Sequence, residues 1–331
     1  MKLVLSRRRM IAVTGLFVGS AAVGPAISWQ REPQLYRWDG IVLGAVASLS
    51  LYHPDPAAAE ALVNDCLAEI ERLEQIFSLY RASALTHLNR DGRLDAPPPE
   101  LVSLLKEGRR FSEISDGAFD VTVQPLWMLY ANHFARDDAD PAGPAETSIA
   151  EARRLVDYRK VAVSDTQIRL SEPGMGITLN SIAQGYITDR VVSLLRQRGI
   201  DRILADLGEF RAVGSHPDGS PWHVGIGNPK SPDGTLGIID LRDRAVATSG
   251  GYGTVFDRAG HFHHLFDPAT GRSAFSWAGT TVVAASATIA NGLSTALAVA
   301  PPGHAAEILR AGGGDVAYLI DTDNRITTVH G

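Results

Sequence analysis

The chain has 331 residues, a length that suits one large domain or two. Hydrophobic residues make up 45% and charged residues 21%, which excludes disorder, collagen-like repeats and a polytopic membrane protein. The net charge of −6 argues against nucleic acid as a partner, and the single cysteine, Cys66, excludes an intramolecular disulfide and any multi-cysteine metal centre.

Residues 1–28 contain no acid and read as an export address. Lys2 and Arg7-Arg8-Arg9 precede an apolar run from Ile11 to Ile27, with small residues Ala21, Ala22, Gly24 and Ala26 as cleavage candidates. The arginine pair followed by Met10 and Ile11 resembles a twin-arginine signal, a receptor-read address. The apolar stretch, about 17 residues, falls short of the roughly 20 that a spanning helix needs, so cleavage is expected over anchoring. The expected location is periplasmic, or at the membrane where the segment stays uncleaved.

The remainder reads as one domain from about residue 40 to 331. A strand is expected over 40–52, then a helix opening at Asp55-Pro56 with apolar residues at helical spacing to Phe77. A loop follows over 78–94, a helix from 97–99 to Asp116-Gly117, a polar loop over 131–146 and a helix over 147–156. Strands are expected at 160–164, 167–170 and 177–179, then a helix over 182–198 stopped by Gly199. Strands follow at 202–206, 210–214, 222–226, 235–241, 245–248, 253–257, 262–266 and 279–284. Helices over 286–299 and 303–311 and strands at 315–320 and 326–329 complete the pattern. The irregular mixture predicts an α+β fold. Gly312–Gly314 reads as a helix stop, since no strand–turn–helix for phosphate surrounds it.

Four segments concentrate chemistry. Asp116-Gly117-Ala118-Phe119-Asp120 brackets an aromatic between carboxylates where a helix ends, and reads equally as a helix stop with a packing anchor. In Gly176–Arg190, Asn180 and Ser181 sit at a helix start, suited to an anion such as pyrophosphate or to plain N-capping. In His261-Phe262-His263-His264, strand alternation would put His261 and His263 on one face and His264 on the other. A zinc reading lacks a third ligand, and one histidine as a general base is more economical. Asn291, Ser294 and Thr295 share a helix face and offer three oxygens, a set for Mg2+ or Ca2+ or an ordinary polar face.

Taken in order, the chain carries Ser78-Leu79-Tyr80 with Ser83, Leu85 and Asn89; Ser115–Val123 with Pro125-Leu126-Trp127; and Asp206-Leu207-Gly208-Glu209. Thr248-Ser249-Gly250-Gly251-Tyr252, His264-Leu265-Phe266-Asp267-Pro268-Ala269-Thr270-Gly271 and Ala290–Leu297 follow. This series, spread over residues 40–300, resembles the ApbE family of FAD:protein FMN transferases. The resemblance implies FAD as substrate, Mg2+ at its pyrophosphate, and attack by a threonine hydroxyl of an acceptor protein on the phosphorus next to riboflavin. AMP leaves and FMN stays attached. It further implies flavin contacts from Leu43 (a methionine in the family), Tyr80, Ala118, Phe119, Asp120 and Leu265. His264 becomes the base for the threonine, and Ser181, Asn291, Ser294 and Thr295 the metal set.

The departures are specific. Where the family reads D-L-G-G-I-A-K-G, this chain has Thr178-Leu179-Asn180-Ser181-Ile182-Ala183-Gln184-Gly185, so an acid becomes Thr178 and a lysine Gln184 among the FAD contacts. The family's metal-helix aspartate is Asn291, and losing that charge should weaken Mg2+ binding. The resemblance extends to variants of this kind within the family, and implies as acceptor a membrane-associated respiratory accessory protein, those of nitrous oxide reduction included. The departures open an alternative, a non-catalytic FAD-binding or flavin-chaperoning protein. A third reading is an assembly factor that holds no flavin.

Overall fold

The segment expected as one strand over 40–52 folds as a hairpin, β1 (Gln34–Val42) and β2 (Ala45–His53), paired antiparallel from Gln34–His53 to Val42–Ala45. The run Ile41–Ala47 holds no polar residue to mark the reversal, so composition alone reads it as one strand. The computed structural model describes residues 32–42 and 45–331. The export-like segment 1–28 and Leu43 lie outside the described residues.

Helix α1 (Pro56–Phe77) begins as its sequence predicts: the Asp55 carboxylate accepts the Ala57 N–H, and Pro56 occupies the first turn, where its missing donor is harmless. The expected loop over 78–94 instead contains α2 (Ala84–Asp91) and β3 (Arg93–Asp95). A reciprocal box between Ser83 and Thr86 starts α2, and Gly92 in the left-handed region ends it. Helix α3 (Pro99–Ile114) follows as expected. Next comes α4 (Gln124–Phe134), which intrudes on the expected loop at 131–146, and then α5 (Glu146–Arg154). Strands β4 (Val161–Val163) and β5 (Gln167–Leu170) join β3 in a small sheet.

Residues 177–179, expected as a strand, belong to no sheet. Their backbone is satisfied elsewhere: the Ile177 N–H donates to Asn89 Oδ1 (2.7 Å), Asn89 Nδ2 donates to the Ile177 carbonyl (2.8 Å), and the Thr178 N–H donates to the Val121 carbonyl (2.8 Å). Then come α6 (Ala183–Gln197), β6 (Ile203–Asp206), β7 (Phe210–Val213), β8 (Trp222–Asn228), β9 (Ser231–Leu241) and β10 (Ala245–Ser249).

Of the strands expected at 253–257 and 262–266, only an isolated bridge between Val255 and His263 and the two-residue β11 (Phe266–Asp267) form. The aromatic residues of this segment pack onto α4: Phe266 and Tyr130 lie 5.0 Å apart, Phe262 and Phe134 5.0 Å, and Phe256 and Trp127 5.8 Å. That cluster outweighs ladder pairing here. The chain ends with β12 (Arg272–Ser273), β13 (Gly279–Ala284), α7 (Ala287–Val299), α8 (Ala305–Gly312), β14 (Gly314–Ile320) and β15 (Ile326–His330).

One eight-stranded sheet, ordered β1-β2-β6-β7-β10-β13-β14-β15 and antiparallel at every pairing, organises the molecule. One face carries the main core, in which Leu49, Leu51, Ile203, Ala205 and Val282 meet apolar side chains of α1, α3, α6, α7 and α8. The other is closed by the β8–β9 hairpin, whose Trp222, Val224, Ile226 and Ile239 pack on Ala212, Val246 and Val283. Val282 and Val283 serve opposite faces, as the two-residue period requires. The fold is α+β. Among the described residues no helix is long and apolar enough to cross a membrane.

Candidate active site

Helix α3 ends where the sequence places a stop. Asp116 (φ 50°) and Gly117 (φ 81°) take left-handed conformations, and the Gly117 N–H returns to the Ser112 carbonyl at 2.8 Å. The reversal carries Phe119 inward, 1% exposed, with its ring 5.6 Å from that of Phe111. Asp120, 8% exposed, accepts three hydrogen bonds: from the Thr122 N–H (2.7 Å), the Thr122 hydroxyl (2.6 Å) and the Tyr158 N–H (2.9 Å). Burial nevertheless holds its carboxyl above the ordinary value against these donors. The Thr178–Val121 bond brings the next motif alongside, and Thr178 Oγ1 accepts the Asn180 N–H at 3.3 Å.

A second constellation forms where α6 crosses α7. The crossing is close because Gly185 lacks a side chain; a Cβ there would lie 2.3 Å from the Ala287 carbonyl oxygen. Asn291 Oδ1 accepts the Gly185 N–H at 3.3 Å, and Asn291 Nδ2 donates to Glu209 Oε1 at 2.7 Å. Gln184 lies against Gly208 of the same turn, at a φ of 101° that favours glycine. Glu209 is 5% exposed. Burial pushes its carboxyl well above the usual range, opposed by the Thr248 backbone N–H and reinforced by the charge of Asp206. Among the described residues no arginine or lysine forms an ion pair with Glu209.

Hydroxyls continue this site along α7. Ser249 Oγ lies 2.8 Å from Ser294 Oγ and 3.2 Å from Thr295 Oγ1, and the Thr280 hydroxyl donates to the Ser294 carbonyl at 2.7 Å. Ser294 is fully buried and also donates to the Asn291 carbonyl at 3.0 Å, so its hydroxyl braces the helix against β10. Thr295 is half-buried, as is Ser181 in the turn before α6, and no hydrogen bond ties Ser181 to the pair. Asn291 Oδ1, the Thr295 hydroxyl and the Glu209 carboxyl group offer hard oxygens, the last from a buried acid with no cationic side chain paired to it among the described residues, a chemistry that fits Mg2+. Among the described residues there is no group of three His, Cys, Asp or Glu arranged for a metal.

The histidine segment departs from strand alternation. His261 is exposed, 3.9 Å from the Asp257 carboxylate, while His263 is buried. His263 Nδ1 accepts the Leu265 N–H at 3.3 Å, and its ring fits against Gly251, where a Cβ would approach to 2.6 Å. Burial lowers the His263 pKa to about 4. His264 is half-buried beside Gly253, with Nδ1 3.1 Å from the Thr254 carbonyl oxygen, and burial lowers its pKa too. Leu265 packs with Ala118, Ala274, Ala298 and Val299, which joins this segment to the turn after α3 and to α7. Tyr80 stands 72% exposed between α1 and α2, and its contacts do not tie it to the other site residues.

Two residues gain weight from the structure. Asn89 is the clamp that holds residue 177 in place, and Glu209 is the acid in contact with Asn291. The available signal for Glu209 was its place in the Asp206-Leu207-Gly208-Glu209 turn, one of the motifs in the family series.

This antiparallel sheet, with helices on one face and an oxygen-lined site at the α6–α7 crossing, has the architecture of a flavin-transferase fold. The ApbE family model matches residues 43–320, and the chain belongs to the ApbE family. It is 29% identical to the FAD:protein FMN transferase of Haemophilus influenzae, over 95% of each chain, and 27% identical to that of Vibrio cholerae serotype O1, over 89% of this chain and 90% of the relative. Among solved structures, it is similar to the apo form of the Pseudomonas stutzeri flavinyl transferase ApbE (28% identity, TM-score 0.74, 90% of this chain and 96% of that one). It is also similar to the flavin transferase ApbE from Vibrio cholerae (25% identity, TM-score 0.77, 90% of this chain and 97% of that one).

Proposed function

We propose that this protein transfers FMN from FAD to a threonine hydroxyl of an acceptor protein and releases AMP. The observation that carries the reading is the state of His264. A carbonyl oxygen only accepts, so Nδ1 beside the Thr254 carbonyl holds the ring proton and Nε2 presents a lone pair. In the step, the threonine Oγ bonds to the phosphorus next to riboflavin. The bond from that phosphorus to the bridging oxygen breaks, AMP leaves with that oxygen, and the hydroxyl proton passes to His264 Nε2. Ala118, Phe119, Asp120, Thr178, Gln184, Leu265 and the exposed Tyr80 are the proposed FAD contacts, with Leu43 completing them.

Ser181, Asn291, Ser294 and Thr295 are the proposed surroundings of Mg2+, which when bound neutralises pyrophosphate charge. The export-like segment 1–28 supports a periplasmic site of action, on a membrane-associated electron-transfer protein. Thr178, Gln184 and Asn291, neutral where the family is charged, favour a second reading: FAD is bound and not cleaved. Incubation with FAD, Mg2+ and candidate acceptors from the same genome separates the two. Transfer gives a flavin-fluorescent acceptor band that a threonine-to-alanine acceptor loses. Tight FAD binding with no AMP released at millimolar Mg2+ would overturn the transferase reading.

A further inference from the structure

Glu209 is a carboxylic acid almost fully enclosed by protein, with no cationic side chain paired to it among the described residues. An ionised carboxylate in that position is costly unless a positive charge balances it. Its hydrogen-bond partners are neutral: the Asn291 amide, which donates to Oε1, and the Thr248 backbone N–H. Asn291 belongs to the helix face that carries Thr295, and Thr295 in turn meets Ser249. The acid therefore borders a set of neutral oxygens that by themselves attract a hard cation weakly.

We infer that Glu209, from the β6–β7 turn, supplies the negative charge of the divalent-cation site, in partnership with Asn291 on α7. The charge absent from α7 is then relocated across one hydrogen bond. Asn291 has two tasks, offering a neutral oxygen and orienting the carboxylate through its amide. This assignment rests on the proposed flavin-transfer site but concerns cation binding alone. A neutral, protonated Glu209 that merely caps the Asn291 amide is the competing account, and it gives the acid no influence on a metal.

Mn2+ binding to the purified full-length chain, followed by the electron paramagnetic resonance of free Mn2+ with and without saturating FAD, separates the two. Glu209→Gln should weaken Mn2+ binding about tenfold or more, with FAD affinity and thermal melting recorded on the same samples. The exchanged pair, Glu209→Gln with Asn291→Asp, returns a carboxylate to α7 and an amide to the turn. It should regain most of the lost affinity, and it also serves where the single variant folds poorly. Unchanged Mn2+ binding in Glu209→Gln, a double variant no better than the single, or no Mn2+ binding by the FAD-loaded wild type each overturns the assignment. Absent flavin transfer, with Glu209-dependent Mn2+ binding intact, overturns the proposed function and supports the assignment.

Discussion

His264 Nδ1 lies 3.1 Å from the carbonyl oxygen of Thr254, ten residues back along the chain, and this contact holds the ring in one tautomer. Burial disfavours the imidazolium, so the pKa sits below 6.5. A base must be neutral to accept a proton. The acid limb of kcat/KM for flavin transfer should therefore fall at a pH lower than 6.5, and the rate should be level through neutrality on that side. His264→Ala should lower kcat by about 10²- to 10⁴-fold with FAD affinity little changed. A pH–rate series with a gel-fluorescence readout checks both; an acid limb above pH 7 would contradict the assignment.

His263 predicts a pH effect on stability. Its neutral ring accepts the Leu265 N–H, and its pKa is pushed down to about 4 from 6.5. Protonation is easier in the unfolded chain, so this contribution is fully present above pH 6.5 and is lost as pH falls from there toward 4. The loss should reach about 3 kcal/mol over that window. His263→Asn keeps an acceptor but no titrating ring and should flatten the slope. Urea unfolding of both proteins at pH 7 and pH 4.5 measures the difference.

Gly185→Ala tests the crossing of α6 and α7. In an exposed helix interior this change stabilises by about 1 kcal/mol. Here the new methyl would meet backbone at the Ala287 carbonyl, and backbone cannot step aside as a side chain can. The sign should reverse, with a loss of about 1–3 kcal/mol typical of overpacking and weaker Mn2+ binding as Asn291 shifts. Thermal unfolding reports the first effect; a higher melting temperature would show that the crossing has slack.

Tyr80→Ala separates binding from folding. Most of the ring is in water, so stability should change by less than about 0.5 kcal/mol. As a proposed flavin contact, the ring should on removal weaken FAD binding about 3- to 10-fold, from an aromatic contact of about 0.5–1.5 kcal/mol. Fluorescence quenching of FAD in a titration gives the constant. Equal affinity would remove Tyr80 from the flavin contacts.

Legibility varied with the range of the forces involved. Helices α1, α3, α6 and α7 were readable because each has a long apolar stripe and most have a local start or stop, such as Asp55-Pro56 or Gly199. Helix α4 escaped because its buried side is completed by residues far along the chain: Tyr130 donates to the Gly271 carbonyl, 141 residues away. The same cluster explains why 253–266 reads as strands and is not. Side chains that alternate locally are bound by aromatic packing to a helix that no local window contains.

The amino-acid order by itself determined the helix limits set by local caps, the α+β class, the order of motifs that marks the ApbE family, and the positions where charges depart from it. Only the tertiary structure decided which polar groups meet. Glu209 and Asn291 are 82 residues apart and on different elements, yet one hydrogen bond joins them. Periodicity and capping act over a few residues, whereas such a contact depends on how sheet and helices dock, and the docking is set by the whole core.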